Sequence, residues 1–409
     1  MKERETIIMA DTKKRKKAVF AGIFGGLILL LAGAVILFIM LKKTEDDPAK
    51  EREAADVSTL LSECTLITEE MYGRATAFPE GDLTRIAVAM RKAEKGEKVT
   101  IGVIGGSITE GSLASSGELC YASLLKKWWE TTFPEAEIEL VNAGIGGTSS
   151  YYGVHRLEKD LLCFNPDFIV VEFSVNDANN AFYKKSYDNL IYRILKDENA
   201  PGLLLLFMTM EDGTSAQEND SLLGFQYGLP MISYRNAVLE EIEAGHFTWK
   251  DISPDNIHPN DRGHAIVGEL LSVYLGGIYA KLSDIPEEKA VFDKEIVTKE
   301  VYADAEFLNW DDVENVKTET GGSIFFQTEA ANIGIMYMKL TDGTGGQFEV
   351  YVDGEYQMTL DADFTGGWGN YGETIEVYTS DQKASHEIEI RKKEGSTGDA
   401  FRMMGLLIS

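Results

Sequence analysis

Four short apolar runs between residues 99 and 208 each stop at a cluster of small or polar residues, and this rhythm constrains the fold more than any other feature. The runs are Val99-Thr100-Ile101-Gly102-Val103-Ile104, Ile138-Glu139-Leu140-Val141, Phe168-Ile169-Val170-Val171-Glu172-Phe173 and Leu203-Leu204-Leu205-Leu206-Phe207-Met208. Each is too short for an ordinary helix and is bounded by turn residues, as buried strands are. Helical spacing returns between them near Leu119–Thr131, Gly153–Leu162 and Tyr187–Lys196, and after them near Ile232–Ala244 and Asp261–Lys281. Strand then helix, repeated, predicts a parallel sheet covered by helices on both faces. Ligands of such sheets bind beyond the carboxyl ends of the strands, so the loops after each run carry the interest.

From about residue 287 the pattern changes. Helical spacing disappears, and short strand candidates such as GGSIFFQT, NIGIMYMKL, FEVYVDGEY, HEIEIRKK and FRMMGLLIS are separated by Gly and Asp-Gly turns. Short strands at regular intervals predict an antiparallel β-sandwich. The expected organisation is a basic tail (1–17), an apolar segment (18–41), a charged tether (42–57), an α/β domain (58–286) and a β-sandwich (287–409).

Residues 18–41 contain no charged side chain over 24 positions. That is long enough for a helix across a bilayer and longer than a cleaved signal's apolar core. Lys13, Lys14, Arg15, Lys16 and Lys17 precede it, whereas acids soon follow Lys42 and Lys43. The positive-inside rule therefore predicts a single-pass anchor in the cell membrane, with the N-terminus cytoplasmic and the rest outside. Gly22 and Gly26 have the spacing that lets membrane helices approach, although glycine is common in such helices anyway. The formal net charge of −28, from 67 acids and 39 bases, argues against a nucleic-acid partner. Three cysteines, Cys64, Cys120 and Cys163, are too few and too scattered for a disulfide framework or a zinc site. Cys120 and Cys163 fall on expected helices and read as small buried apolar groups.

The loops after the strands are polar in a particular way. Gly105-Gly106-Ser107-Ile108-Thr109-Glu110 follows the first run, and two glycines let the backbone bend and expose the serine hydroxyl. Asn142-Ala143-Gly144-Ile145-Gly146-Gly147-Thr148-Ser149 follows the second, where small side chains leave backbone N–H groups accessible. Ser174-Val175-Asn176-Asp177 follows the third, and Asp255-Asn256-Ile257-His258-Pro259 precedes the last helix. Each piece has an ordinary alternative. Ser107 suits a helix N-cap and Asn176-Asp177 a simple turn. The glycine turn lacks both GxGxxG and the GK[ST] lysine that would mark a phosphate cradle.

Taken together and in this order, the four pieces resemble the SGNH (GDSL-type) hydrolases over roughly residues 97–282. The resemblance implies a flavodoxin-like α/β/α fold and a serine esterase or acylhydrolase without cofactor or metal. It makes Ser107 the nucleophile, His258 the general base and Asp255 the remaining triad acid. The backbone N–H groups of Ser107 and Gly147 and the Asn176 side-chain amide become the oxyanion donors. The chemistry fits those residue types: serine attacks once a base accepts its proton, and histidine titrates near neutrality. An acid on its far side fixes the tautomer, and aimed donors stabilise the tetrahedral oxyanion. Two departures stand out: GGSI replaces GDSL, and Ser174 stands where the third block usually has glycine.

Other polar residues read as structural. His264, six positions after His258, does not share a metal-binding helix face with it and suits capping or packing. His155 and His246 are lone histidines, Arg156 can pair with a nearby acid, and Trp249 suits the core or the rim of a pocket. The C-terminal strands resemble a jelly-roll module of bacterial carbohydrate esterases, although in that family the jelly roll comes first. Trp368, Tyr371 and Tyr378 are candidates for stacking on sugar rings or for packing the sandwich. The expected function is hydrolysis of small acyl esters, O-acetyl above all, on cell-surface carbohydrate. A lipid or thioester acylhydrolase and an O-acetyltransferase would use the same triad, and a non-catalytic glycan-binding protein is the reading of another class.

Overall fold

Every residue of Val99–Gly105 (β1) is buried, because this strand lies inside a five-stranded parallel sheet with helices on both faces. Its companions are Ile138–Gly144 (β2), Phe168–Glu172 (β3), Gly202–Phe207 (β4) and Met231–Ser233 (β5), in the order β2-β1-β3-β4-β5. That is the flavodoxin-like order. The alternation of side chains divides each strand between two cores. Val99, Ile101 and Val103 enter one with Phe168, Val170, Leu204 and Leu206. Ile104, Ile169, Val171, Leu203 and Leu205 enter the other. Gly105 pairs with Gly144 on one side and Glu172 on the other, so the loops carrying Ser107, Gly147 and Asn176 leave the sheet at one level.

The computed structural model describes residues 56–318, 323–366 and 369–409. The apolar segment at 18–41 with its glycine pair, the basic tail at 1–17, most of the tether and Trp368 lie outside the described residues. Among the described residues no helix is long and apolar enough to cross a membrane. Two elements differ from expectation. The run near Ile232 opens with β5 before its helix, Tyr234–Glu243, and Gln217–Tyr227 is a further helix. A three-residue strand is too short to show periodicity.

The chain passes from the last helix, Asp261–Ala280, through an irregular strap at 285–305 into the β-rich region. There the strands are Glu306–Asn309 (β6), Lys317–Thr318 (β7), Ile324–Lys339 (β8), Gln347–Val352 (β9), Glu355–Asp361 (β10), Tyr371–Lys392 (β11) and Met403–Ile408 (β12). The strands form one continuous hydrogen-bonded antiparallel sheet of seven, ordered β10-β9-β11-β8-β12-β6, with β7 on β8. The reason is strand length: β8 and β11 run through both halves of the sheet, and their pairing slips between Thr379 and Ala384. Residues from both sides of that slip, including Ile335, Val377, Ile388 and Val350, share one core. The Asp-Gly turn expected between β9 and β10 is present at Asp353-Gly354, where both φ angles are positive.

The two regions also share a core. Ile333, Ile335 and Leu406 face the β-rich core, while Met336 and Leu407 on the opposite face join Tyr151, Tyr152 and Tyr302 in one of the two α/β cores. At about 1.5–3 kcal/mol for each fully buried large apolar side chain, this contact is a substantial part of the stability of both regions. A polar bridge reinforces it. Glu376 of β11 accepts from the Lys185 ammonium at 3.2 Å and from the Tyr302 hydroxyl at 2.5 Å.

Candidate active site

Ser107 begins a four-residue helix directly after β1 and its side chain is 8% exposed. Its hydroxyl Oγ lies 2.9 Å from His258 Nε2, although 151 positions separate the two in the chain. On the opposite side of the imidazole, Nδ1 lies 2.7 Å from Asp255 Oδ2. A hydroxyl, an imidazole and a carboxylate therefore stand in line. In this arrangement the ring donates from Nδ1 to the carboxylate and keeps Nε2 free to accept the serine proton.

The loop that carries the histidine is held in several ways. Pro259 disfavours a helical conformation at His258, and the Asp261–Ala280 helix starts only after Asn260, whose side chain caps the N–H groups of Arg262 and Gly263. Asp255 Oδ1 accepts from the backbone N–H of Ile257 at 2.8 Å and of His258 at 2.7 Å. Ser253 Oγ donates to the His258 carbonyl at 2.6 Å, and Trp249 Nε1–H to the Asp255 carbonyl at 2.6 Å. Partial burial raises the Asp255 carboxyl, but the His258 side chain and the two backbone donors outweigh it and hold it below the usual carboxylate range.

Asn176 and the loop through Gly146 and Gly147 lie beside the serine. Gly147 is exposed with φ at 70°, a left-handed conformation that glycine adopts without strain. Beside it, the outward direction of Gly146 comes within 3.7 Å of Ser107 Cβ. The Asn176 side chain packs so closely on Gly106 that any Cβ at position 106 would collide with it. A larger residue there, such as the acid of the GDSL pattern, would need the Asn176 amide to shift. Ser174 has a definite role: its Oγ accepts from Met208 N at 2.6 Å and donates to Glu172, tying the end of β3 to the end of β4. Burial pushes the Glu172 carboxyl up to about 7 against the hydrogen bonds from Ser174.

The remaining candidates separate cleanly. His264 is fully buried, accepts from Tyr121 N at 3.3 Å and is lowered by burial, so it caps a neighbouring helix. His155 is buried where the two regions meet, and desolvation lowers it to about 3. His246 pairs with Glu241 at 2.5 Å. Cys64, Cys120 and Cys163 are free thiols, and Cys163 is exposed rather than buried, because it sits in a short 3-10 turn at the protein surface. Tyr371 and Tyr378 lie in β11 rather than in turns. Tyr371 donates to Glu373 at 2.7 Å, and the Tyr378 ring packs on His386 at 4.6 Å. Among the described residues no group of three or more His, Cys, Asp or Glu side chains is placed to hold a metal ion.

Arg156 is more central than its sequence position suggests. It is 1% exposed and donates to the carbonyls of Ala143 at 2.7 Å and Gly105 at 3.1 Å, joining the ends of β2 and β1. Its acceptors are backbone atoms of two different strands, which leave no mark in the local sequence. Its ion pair with Asp160 follows the i,i+4 spacing and was open to reading.

Residues 103–266 match the GDSL-like lipase/acylhydrolase family. A two-domain esterase active on acetylated mannans, co-crystallised with mannopentaose, is 31% identical, with a TM-score of 0.75 over 83% of this chain and 97% of that one. A second structure, of a two-domain esterase active on acetylated mannans, gives a TM-score of 0.72 at 30% identity, over 83% of this chain and 98% of that one. Thioesterase 1/protease 1/lysophospholipase L1 of Escherichia coli (strain K12) is 23% identical over 184 residues, 43% of this chain and 83% of that protein.

Proposed function

Since residues 103–266 match the GDSL-like lipase/acylhydrolase family, we propose that the chain is a serine esterase removing small acyl groups, chiefly O-acetyl, from carbohydrate at the outer face of the cell membrane. The observation that carries this reading is the unbroken line from Ser107 Oγ through His258 to Asp255. Ser107 Oγ attacks the ester carbonyl carbon while His258 Nε2 takes its proton, and Asp255 stabilises the resulting imidazolium. The carbonyl oxygen becomes an oxyanion and receives the N–H groups of Ser107 and Gly147 and the Asn176 amide. Collapse breaks the bond to the sugar oxygen, which leaves with the proton from His258. Water then attacks the acyl-serine by the same route, releasing the acid and restoring the hydroxyl.

Carbohydrate as the substrate is supported by a similarity that spans both regions of the chain, to an esterase active on acetylated mannans. The membrane location rests on the uncharged run at 18–41 and the bases before it. The similarity to a thioesterase and lysophospholipase favours a second reading, a lipid or thioester acylhydrolase. Hydrolysis of p-nitrophenyl esters of increasing chain length, followed by acetate release from acetylated polysaccharides, separates the two. Turnover highest at acetyl is expected. A maximum at long acyl chains favours the lipid reading, and undiminished turnover in Ser107→Ala rejects both.

A further inference from the structure

We propose that Asp177 is a positioning residue for this reaction, a buried carboxyl that fastens the Gly147 arm of the oxyanion hole to the Asn176 arm. The inference rests on the esterase reading above and adds a residue to it. Asp177 is 4% exposed, and its Oδ1 accepts the backbone N–H of Ser150 at 3.0 Å. Ser150 opens the Ser150–Asp160 helix three residues after Gly147. The N-cap of that helix, Ser149, makes no side-chain cap bond. The missing cap comes from Asp177, 27 positions away in the chain, and a carboxyl is favoured at the positive end of a helix.

The connection continues on the other side. The backbone N–H groups of Asn176 and Asp177 both donate to the Phe173 carbonyl at 2.9 Å, so the two residues move as one rigid turn. The Gly147 loop is in turn closed by Thr148 Oγ1 on the Ile145 carbonyl at 2.7 Å and by Ile145 N on the Gly105 carbonyl at 3.1 Å. Loss of the Asp177–Ser150 bond would leave the two donor arms joined by the sheet below them and by the Phe173 ring packed on Gly153.

The carboxyl is kept at a cost to the fold. Asp177 Oδ2 is buried without a partner among the described residues, and so is one oxygen each of Glu172 and Asp220. Burial, opposed by Ser150 and reinforced by Glu172, pushes the Asp177 carboxyl up to about 7. A half-satisfied buried acid is poor value as a stabilising group, so its place at this junction calls for another explanation.

The test measures kcat and KM for p-nitrophenyl acetate in Asp177→Ala, Asp177→Asn and Ser150→Pro, with thermal unfolding to confirm that each is folded. Asparagine keeps a carbonyl oxygen to accept the Ser150 N–H. Proline removes that N–H at the first helical position, where it is well tolerated, after a residue already extended. Misplacing a donor by about 1 Å costs about a hundredfold, so Asp177→Ala and Ser150→Pro are expected to lose kcat about ten- to hundredfold with KM within about twofold. Asp177→Asn is expected within about threefold of the wild type. The proposal is overturned if folded Asp177→Ala or Ser150→Pro keeps kcat within about threefold, or if Asp177→Asn falls as far as Asp177→Ala. Should Asp177→Ala fail to fold, Ser150→Pro decides alone. An inactive wild type, or an active Ser107→Ala, would instead sink the esterase reading.

Discussion

His258 in the α/β region and His386 in the β-rich region each bind an aspartate through Nδ1 at 2.7 Å. Both aspartates also accept backbone N–H groups, and both are held below the usual carboxylate range. For Asp353 the His386 side chain is the main cause, and for Asp255 it works against partial burial. The circumstances of the second ring nitrogen differ. His258 Nε2 faces Ser107 Oγ and the side chain is 26% exposed, so substrate can reach it. His386 is 7% exposed, its Nε2 is buried without a partner among the described residues, and its ring packs on Tyr378. A His–Asp pair alone is therefore an ordinary structural bond. What makes a reactive centre is the third group, placed by a distant strand end and left open to solvent.

His258→Ala is expected to lower kcat/KM by about 10⁴-fold or more, as removal of a triad member does, whereas His386→Ala should leave it within about twofold. Hydrolysis of p-nitrophenyl acetate checks both, and a large loss in His386→Ala would bring the second pair into the chemistry. Asp255→Asn should cost about 10²–10⁴-fold by leaving the imidazole in the wrong tautomer. Asp353→Asn should leave turnover intact and cost about 1 kcal/mol of stability, read from the urea midpoint.

The region that carries the second pair stabilises the first. Glu376→Gln leaves the Lys185 ammonium, 23% exposed, without its carboxylate where the two regions meet. Removal of one partner from a largely buried pair costs about 3 kcal/mol, which urea unfolding would register as a lower midpoint for the whole chain. Separate transitions for the two regions would contradict the shared core.

The smallest expected effect is on pH. The Glu172 and Asp177 carboxyls, raised by burial to about 7 from their ordinary 4.5 and 3.8, disfavour folding once ionised. Below the unfolded values both are protonated in either state and cost nothing. Between about 4 and 7 the native state holds protons that the unfolded state has lost, so stability falls as pH rises. Asp255 and Asp353 act oppositely: their contributions are complete above the unfolded value and are lost as pH falls through the lowered native values. Glu172→Gln should therefore raise the unfolding temperature at pH 8 and leave it nearly unchanged at pH 4.5.

The readable parts of this chain are the ones specified locally. The first four strands, the turns after them and the three-residue spacing from Asp255 to His258 all lie in contiguous stretches whose periodicity or turn chemistry announces them. The pair of Asp353 and His386 was invisible because it depends on register along β11, where four residues, 380–383, oppose one on β8. The continuity of that sheet through β8 and β11 was not legible for the same reason, since strand length and slip follow from pairing rather than from composition. Arg156 and Asp177 escaped because their acceptor or donor atoms are backbone groups of other elements. The shared core was hidden in alternation: Met336 and Leu407 look like any other strand residues until both faces of the sheet prove to be covered.

The central claim is that the Ser107 hydroxyl attacks an ester with His258 as its base. Rapid acid quenching of the wild type during p-nitrophenyl acetate turnover, followed by mass spectrometry of the peptide containing residue 107, tests it most directly. An acetyl group on Ser107, absent in Ser107→Ala, is the expected result. Steady turnover with that peptide unmodified, and the acetyl group on another side chain, would contradict the account.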